Sequence, residues 1–255
     1  MFKDEIIEMM IKAIRNIKYE KIINEGKSIL GKNPTGDETL VFDKMIEAQI
    51  ADSLAQQGFE GEIRGEEKEI YGGKSEKGVI LIDPVDGSRN ALRGIPFYAT
   101  LIGYAEKDNI NSISRAVIYA PALNKMYIAI KGQGAYLLME NKKTRLTIPQ
   151  DTFLKPLIEV VSNYTLKYTN IIRKLGKIRK MGSIGLAIVM AAEGALDAVI
   201  DIGKISRVTD TAPSLLVLSE AGGRIILDKN SSLNPRERIN FIAGKQKLVN
   251  EVYYK

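Results

Sequence analysis

The sequence predicts an α+β protein, because its amino-terminal part has a helical pattern and its middle has the pattern of adjacent strands. Residues 2–23 place isoleucines at helical spacing, as in an amphipathic helix. Residues 79–138 contain several short apolar segments, which are typical of neighbouring strands. This segregation favours α+β or layered sheets over the strict alternation of a Rossmann fold.

The composition is that of an ordinary globular chain that lacks the side chains most often used in catalysis. The 255 residues are 45% hydrophobic and 27% charged, which suits one large domain or two closely packed halves. The chain contains no cysteine and no histidine. This excludes thiolate nucleophiles, disulfides and cysteine-based zinc sites, and it removes the commonest general base. Catalysis must therefore use carboxylates, hydroxyls, lysines or oxygen-bound metals.

The net charge of +6 admits a nucleic-acid partner, but a lysine-rich solvated surface is the favoured interpretation. The densest basic segment, residues 173–180, contains no aromatic side chain that could stack on bases. No apolar stretch approaches the length of a membrane span, and the amino terminus does not have the pattern of a signal peptide. The sequence thus predicts no nucleic acid, no membrane partner and a cytoplasmic location.

The amino-terminal part ends in a second predicted helix, over residues 40–55, after a loop rich in glycine. Asp37 lies at the end of this loop, where an acid can cap the helix that follows. Asp43 and Glu47 are four residues apart on the helix and therefore project from the same side. In a chain without histidine, Asp43 is a candidate to orient a hydroxyl group or a water molecule.

A short apolar run at residues 79–82 predicts a buried strand that ends at Asp83. Pro84 opposes continuation of the strand, and Asp86 follows. Two carboxylates at the end of a buried strand repel each other unless a cation lies between them. Because hard oxygen ligands favour Mg²⁺, the pattern indicates a magnesium site. The alternative is an Asx-type turn, in which both aspartates only accept bonds from nearby backbone N–H groups.

The residues on either side of this strand extend the candidate site. Gly87 and Ser88 follow Asp86 at a predicted helix start, where backbone N–H groups suit a phosphate. Glu66 precedes the strand in a Gly-Glu-Glu segment and is a candidate third carboxylate, although adjacent acids in loops are often only solvated.

Further strands are predicted over residues 97–105, 113–119, 126–130 and 135–138. A charged connector at residues 141–145 then suggests a boundary between two subdomains, residues 1–142 and 143–255.

The second half is predicted to alternate between strands and helices. Strands are expected over residues 157–162 and 195–202, the latter ending at Asp201, and helices over residues 164–175 and 183–192. A last helix is predicted to begin at Asp210 as its N-cap, with Pro213 in its first turn, and to end at Glu220. Capping alone is a sufficient explanation of Asp210 when that residue is considered by itself.

Together, these motifs resemble the inositol monophosphatase/fructose-1,6-bisphosphatase superfamily. The resemblance spreads over most of the chain. It rests on Gly65-Glu66-Glu67, on Asp83-Pro84-Val85-Asp86-Gly87-Ser88, and on Val208-Thr209-Asp210-Thr211-Ala212 followed by Glu220-Ala221-Gly222-Gly223. The archaeal-type dual-activity branch matches best, and the replacement of a tryptophan of animal relatives by Thr209 agrees with this. The resemblance implies α-β-α-β-α layers and a homodimer. It also implies that the first subdomain carries the main metal-binding motif and the second completes the active site.

The resemblance also implies a set of metal ligands and catalytic residues. Two or three Mg²⁺ ions, which Mn²⁺ can replace, are expected on Glu66, Asp83, Asp86, Asp210 and the carbonyl of Val85, with Asp37 near a further metal. Glu66 and a pair formed by the Ser88 hydroxyl and Asp43 are expected to orient the attacking water. Ser88 stands where animal relatives have threonine, so the hydroxyl is preserved.

The remaining predicted contacts involve a small phosphorylated substrate. Its phosphate is expected on Gly87, Ser88 and the metals of Asp86 and Asp210. The residues expected at the rest of the substrate are Arg179, Asp201, Lys204 and Arg207, and each of the three cations has a solvated surface position as its alternative.

The predicted function is Mg²⁺-dependent hydrolysis of a phosphate monoester, with fructose 1,6-bisphosphate, inositol 1-phosphate or both as substrates. A phosphatase of 3′-phosphoadenosine 5′-phosphate or NADP is the alternative within the same enzyme class. A non-catalytic protein that binds sugar phosphates or nucleic acid is the alternative of another class. The complete set of four acids together with Ser88 argues against this second alternative.

Overall fold

Two β-sheets separated by helices organise the fold in the computed structural model. The structure describes residues 2–32, 38–68, 70–140, 142–149, 155–161, 172–229 and 231–254. Within these ranges, the larger sheet has seven strands, the smaller sheet has five, and a separate hairpin has two. No helix of the described residues is long and apolar enough to cross a membrane.

The hairpin and the larger sheet come from the first 145 residues. The hairpin pairs β1 (Ile29–Lys32) with β2 (Glu38–Leu40). The larger sheet contains, in chain order and in spatial order, β3 (Gly61–Gly65), β4 (Lys74–Asp86), β5 (Ala99–Ala105), β6 (Ile113–Ala120), β7 (Lys125–Ile130), β8 (Gly134–Met139) and β9 (Lys142–Arg145). Only the β3–β4 pair of this sheet is parallel within the described residues, and the other neighbours are antiparallel.

Strand β4 is longer than predicted, because it does not end at Asp83. Its antiparallel partner β5 places Leu101 opposite Asp83 and Ala99 opposite Asp86. Three steps on β4 therefore match two steps on β5, which is a β-bulge. A proline is tolerated at a bulge because no ladder hydrogen bond is required there, so Pro84 re-aims the strand without ending it.

Three helices cover one face of the larger sheet: α1 (Glu5–Arg15), α2 (Tyr19–Glu25) and α3 (Val41–Gln56). Their apolar side chains pack against alternate residues of β4, including Ile80 and Ile82. The single helix predicted over residues 2–23 is wrong, since Asn16 ends α1 and a new helix starts at Tyr19. Asparagine has a low helix propensity, and the break still lets Ile17 enter the core.

Among the described residues, two helices separate the sheets, and the last helix covers the outer face of the smaller sheet. The short helix α4 (Ser88–Leu92) follows β4, and the separating helices are α5 (Ile184–Glu193) and α6 (Val208–Glu220). The outer helix is α7 (Gln246–Tyr253). The smaller sheet has the order β11 (Lys177–Arg179), β10 (Leu157–Val160), β12 (Ala198–Asp201), β14 (Phe241–Gly244) and β13 (Arg224–Leu227). The α+β prediction and the expected α-β-α-β-α layering are therefore confirmed.

Several predictions for the second half need correction. The charged segment at residues 142–145 is strand β9 and not a connector, because it pairs with β8. The chain thus leaves the larger sheet after residue 145, and the division at residues 142 and 143 stays a prediction. Of the helix predicted over residues 164–175, only residues 172–175 are described, and these are helical.

Helix α6 begins earlier than predicted. Its N-cap is Arg207, so Asp210 is the third helical residue, and its carboxylate accepts the Arg207 backbone N–H at 3.1 Å. Pro213 lies inside the helix and not in its first turn. Its ring packs against β5, where a Cβ added to Gly103 would lie 3.0 Å from the ring.

Candidate active site

Three carboxylates converge between the larger sheet and helix α6, on Glu66, Asp83 and Asp210. One carboxylate oxygen from each lies within 4.8 Å of the others. We call these three residues the acidic cluster. Within the described residues, this is the group of acids that is spaced to hold a metal ion.

The sheet register explains why two members of the acidic cluster meet. Strands β3 and β4 are parallel, and Gly65 lies opposite Ile82. The next residues along the two strands, Glu66 and Asp83, therefore come side by side at the same edge. The Glu66 backbone N–H donates to the Ile82 carbonyl at 3.2 Å, which continues the pairing into the loop.

Burial and like charge make the acidic cluster unfavourable for three ionised carboxylates. Asp83 is 1% exposed, and burial raises its pKa well above the ordinary value, with further contributions from Glu66 and Asp86. Burial likewise raises the pKa of Glu66, and Asp210 raises it further. The Asp83 Oδ1 atom is buried and has no hydrogen-bond partner among the described residues.

One buried cation lies beside the acidic cluster. The Arg207 guanidinium forms an ion pair with Glu66, and the Arg207 side chain is only 7% exposed. Burial raises the pKa of Asp210, while the Arg207 charge opposes that shift. Arg207, predicted to contact substrate, is thus engaged with Glu66, and its single charge does not balance three carboxylates.

Asp86 lies next to the acidic cluster but is directed at the start of helix α5. Its carboxylate accepts the Ser183 hydroxyl at 2.5 Å and the backbone N–H groups of Gly185 at 2.7 Å, Ile184 at 3.0 Å and Leu186 at 3.2 Å. Burial raises the pKa of Asp86 to about 7, although the Ser183 hydroxyl lowers it. Asp86 thereby ties the larger sheet to α5, and its role as a metal ligand stays a prediction.

The structure brings the predicted Ser88–Asp43 pair within hydrogen-bonding reach, since a side-chain hydrogen bond from Ser88 lowers the pKa of Asp43. The Ser88 hydroxyl donates to the Val85 carbonyl at 2.8 Å. Asp43 is 2% exposed, and its Oδ1 has no hydrogen-bond partner among the described residues. Burial raises the pKa of Asp43 well above its ordinary value, whereas the nearby Ser88 side chain lowers it. The Ser88 hydroxyl thus has two nearby acceptors, Val85 and Asp43, and its part in the relay stays a prediction.

The turn after Asp86 requires glycine at position 87. Gly87 has a φ of +91°, which disfavours other residues. A Cβ at this position would lie 3.0 Å from the Ser183 Cβ and 3.1 Å from the Gly182 carbonyl oxygen. Helix α4 then starts at Ser88, as predicted, while phosphate binding by the Gly87 and Ser88 N–H groups stays a prediction.

Asp201, which was predicted to contact substrate, is buried at the end of strand β12. It is 1% exposed, and its carboxylate accepts four hydrogen bonds from the loop that leads to Arg207. The donors are the Ser206 hydroxyl at 2.6 Å and the backbone N–H groups of Ser206 at 2.7 Å, Gly203 at 2.9 Å and Ile205 at 3.0 Å. We call Asp201 and residues 203–206 the Asp201 turn. The carboxylate holds this turn, and its contact with a substrate stays a prediction.

Two predicted cations are solvated, and one predicted acid lies outside the described residues. Arg179 is exposed on β11, and its Nη1 donates to the Ile178 carbonyl at 3.0 Å. Lys204 is exposed in the Asp201 turn. Neither side chain forms a hydrogen bond or an ion pair with the acidic cluster within the described part of the chain. Asp37 falls in residues 33–37, outside the described ranges.

Two residues outside the predicted set support the site. Ser183 donates to Asp86, and its place before a small-residue helix gave no indication of that partner. Glu47 is fully buried and accepts three hydrogen bonds from the chain that follows Glu66. Its position four residues after Asp43 on one helix face was a usable signal, because the two side chains point toward the same region.

The acidic cluster fits a divalent cation. Its donors are carboxylate oxygens, and the buried Asp83 Oδ1 has no hydrogen-bond partner among the described residues. The cluster also carries more negative charge than Arg207 can balance. Hard oxygen donors of this kind suit Mg²⁺ and similar ions. A bound cation would favour the ionised carboxylates that burial otherwise disfavours.

Comparison with known proteins gives a consistent assignment. A fructose-1,6-bisphosphatase of Pyrococcus furiosus is 34% identical over 223 residues, which cover 86% of this chain and 83% of that protein. A fructose-1,6-bisphosphatase/inositol-1-monophosphatase of Methanocaldococcus jannaschii is 32% identical over 253 residues, covering 96% of this chain and 95% of that protein. A bifunctional NADP phosphatase/NAD kinase of Methanococcus maripaludis is 33% identical over 193 residues, 67% of this chain and 34% of that protein.

The fold agrees with these sequence relations. The crystal structure of an inositol monophosphatase–fructose 1,6-bisphosphatase superimposes with a TM-score of 0.82 at 27% identity. The superposition covers 99% of this chain and 98% of that one. The sequence profile of the inositol monophosphatase family matches residues 3–255. The chain therefore belongs to the inositol monophosphatase family and is a metal-dependent phosphatase of that family.

Proposed function

We propose that this phosphatase hydrolyses fructose 1,6-bisphosphate and inositol 1-phosphate with Mg²⁺ as its cofactor. The observation that carries the proposal is the acidic cluster, in which three carboxylates converge and the buried Asp83 Oδ1 has no hydrogen-bond partner among the described residues. Two relatives whose names combine or include these activities support the choice of substrates.

Glu66, Asp83, Asp86, Asp210 and the Val85 carbonyl are the proposed ligands for two or three Mg²⁺ ions, which Mn²⁺ can replace. A divalent cation at such a site lowers the pKa of water and neutralises negative charge on a phosphate. Asp37 is the proposed additional ligand and lies outside the described residues. Arg207 must share Glu66 with any ion bound there, because the two side chains form an ion pair.

The chain's own residues have three tasks in this proposal. Glu66 accepts a hydrogen bond from the attacking water, and the Ser88 hydroxyl, which donates to Asp43, accepts the second bond that fixes the orientation of the water. The Gly87 and Ser88 N–H groups bind phosphate oxygens. The water oxygen forms the new bond to phosphorus, the ester P–O bond breaks, and a proton from water ends on the leaving alcohol.

NADP is the second candidate substrate, because a relative that contains an NADP phosphatase is 33% identical. The match spans about a third of that bifunctional protein. NADP phosphatase activity is therefore only a proposal for this chain. 3′-Phosphoadenosine 5′-phosphate is a further alternative substrate in the same reaction class.

One substrate panel tests the proposal. Phosphate release would be measured with Mg²⁺ from fructose 1,6-bisphosphate, inositol 1-phosphate, NADP and 3′-phosphoadenosine 5′-phosphate, with a chelator as control. The highest kcat/KM is expected for the first two substrates. A clear preference for NADP would select the second candidate, and hydrolysis that persists after complete metal removal would contradict the metal-dependent proposal.

The assembly and the location are proposed separately. A homodimer is expected from the family resemblance, and light scattering of the purified protein measures it directly. A cytoplasmic location stays a prediction from the sequence pattern.

A further inference from the structure

We propose that Glu47 is a positioning residue that holds the loop of Glu66 so that the Glu66 carboxylate stays in the acidic cluster. This inference rests on the proposed function, since it assigns Glu66 to a metal. Glu47 lies on helix α3, on the same side as Asp43, and is 0% exposed. A fully buried carboxylate is retained only where several donors or a cation compensate its lost hydration.

The donors around Glu47 come from the chain immediately after Glu66. The backbone N–H of Glu67 donates at 2.8 Å, the backbone N–H of Lys68 at 2.9 Å, and the Tyr71 hydroxyl at 2.8 Å. Both Glu47 oxygens are used, Oε2 by Glu67 and Oε1 by the other two donors. The carboxylate therefore binds the loop at three points. It accepts the hydrogen bonds that these N–H and O–H groups would otherwise donate to water.

Gly65 shows how closely Glu47 approaches the start of this loop. A Cβ on Gly65 would lie 2.2 Å from the Glu47 Cδ and within 2.5 Å of both carboxylate oxygens. Glycine is required here for space, because the Glu47 carboxylate lies directly over the backbone. Helix α3 and the end of strand β3 are thus packed in one fixed arrangement.

This arrangement fixes Glu66 from both sides. Before the turn, the Glu66 backbone N–H donates to Ile82 in the neighbouring strand. After it, the next two N–H groups bind Glu47. Glu66 would otherwise move away from Asp83 and Asp210, because like charges repel it. Glu47 opposes that movement through the backbone N–H groups of Glu67 and Lys68.

The Glu47→Gln variant tests the inference with the full-length protein and Mn²⁺ as the probe. The amide keeps the size of the side chain, but its NH₂ group faces backbone N–H donors where the wild-type protein has an acceptor. We expect Mn²⁺ affinity, followed by the electron paramagnetic resonance signal of free Mn²⁺, to fall about 10–100-fold, as for other groups that orient metal ligands. Tyr71→Phe removes one of the three donors and should weaken affinity by roughly fivefold.

Glu220→Gln is the matched control. The Glu220 carboxylate also accepts two backbone N–H bonds, from Gly132 and Gly134 at 2.8 Å each. It lies at the end of helix α6, and its two donors belong to the connection between β7 and β8 and not to the Glu66 loop. This variant should lose stability while its Mn²⁺ affinity remains that of the wild type. A purely structural role for Glu47 would instead give both variants the same unchanged affinity.

Gly65→Ala provides a test that does not depend on the folding of Glu47→Gln. The added methyl group should weaken Mn²⁺ binding in the wild-type background by displacing the Glu47 carboxylate. Added to Glu47→Ala, it should cause no further loss, because both changes act on one contact. Additive losses, or wild-type affinity in folded Glu47→Gln, would overturn the positioning role. A wild-type protein that binds no Mn²⁺ would overturn the proposed function itself.

Discussion

The acidic cluster and the Asp201 turn each bury a carboxylate, but they differ in the partners that compensate its lost hydration. Asp83 and Asp201 are each 1% exposed, and each lies near the carboxyl end of a buried strand. Asp201 accepts four hydrogen bonds from its own loop. Asp83 faces Glu66 and Asp210, and its Oδ1 has no hydrogen-bond partner among the described residues.

The difference separates a carboxylate that completes the fold from one that needs an external cation. A saturated carboxylate stabilises the loop that surrounds it, and the cost of burial is offset by its donors. A carboxylate among other carboxylates lowers stability until a positive charge joins them. Buried acids of this family member can therefore be sorted by their partners, and the sorting predicts opposite effects of the same substitution.

A large effect is expected for Asp83→Asn. Removing one charge from the acidic cluster should lower kcat by on the order of 10³-fold, the upper range for loss of one electrostatic group at a reacting centre. In a chelator, the free energy of unfolding should stay the same or rise, because a like-charge repulsion is removed. Steady-state kinetics and urea unfolding measure the two quantities. Near-normal turnover, or a large loss of stability, would show that Asp83 stabilises the fold, as Asp201 does, and does not bind a metal ion.

Two serine hydroxyls sharpen the comparison, because Ser88 lies beside Asp43 and Ser206 donates to Asp201. Ser88→Ala should lower kcat by about 10²–10⁴-fold, as for a lost acid–base positioning group, while Ser88→Thr retains much of the activity. Ser206→Ala should leave kcat within about twofold and cost about 1 kcal/mol of stability. Equal kinetic losses in the two alanine variants would remove the distinction.

The relay itself is tested by a double-mutant cycle of Ser88→Ala and Asp43→Asn. If the hydroxyl and the carboxylate act as one unit, the combined loss is far smaller than the product of the single losses. Independent losses would contradict the relay, and phosphate retained covalently on Ser88 would replace the water mechanism.

A smaller effect is expected for Asp201→Asn. The amide cannot accept all four hydrogen bonds, so the free energy of unfolding should fall by about 1–3 kcal/mol. Mg²⁺ dependence should remain that of the wild type, since the four donors to Asp201 all lie in its own turn. A shifted Mg²⁺ requirement, measured from initial rates, would show that the Asp201 turn belongs to the metal site.

The smallest expected effect is a pH dependence confined to the metal-free protein. Burial raises the pKa of Asp86 to about 7, and the pKa values of Asp83 and Glu66 are raised as well. The folded state therefore holds protons that the unfolded chain has released. Its stability should fall as the pH rises from about 5 to about 8, and Mg²⁺ should remove that slope. Thermal unfolding at several pH values, with Mg²⁺ or with a chelator, measures this slope. Parallel profiles of stability against pH under the two conditions would contradict the assignment of these carboxylates to a metal site.

The helical and strand patterns predicted the α+β class, and the family resemblance, which rests on motifs in a fixed order, predicted the layers. The sequence also pointed to Asp83, Asp210 and Glu66, yet it placed Asp210 at a helix N-cap, since a cap and a ligand have the same local pattern. The bulge at Pro84 depends on the pairing with β5 and was invisible in one strand alone.

The hydrogen-bond partners of the buried acids could not be predicted from the sequence. Nothing in the local pattern shows that Asp201 is saturated by its own turn, or that Asp86 binds a helix about 100 residues further along the chain. Glu47 looked like an ordinary helix acid until its three donors were in place. Contacts between residues that are distant in the chain determine these roles, and the spacing of residues within one motif does not predict such contacts.

Calorimetric titration of the metal-free protein with Mg²⁺, repeated for Asp83→Asn and Asp201→Asn, tests the central claim most directly. The wild-type protein and Asp201→Asn should bind Mg²⁺ saturably and release protons in proportion, because cation binding ionises the raised carboxylates. Asp83→Asn should lose most of that binding. Absence of saturable binding to the wild-type protein, or undiminished binding to Asp83→Asn, would contradict the assignment of the acidic cluster as the metal site.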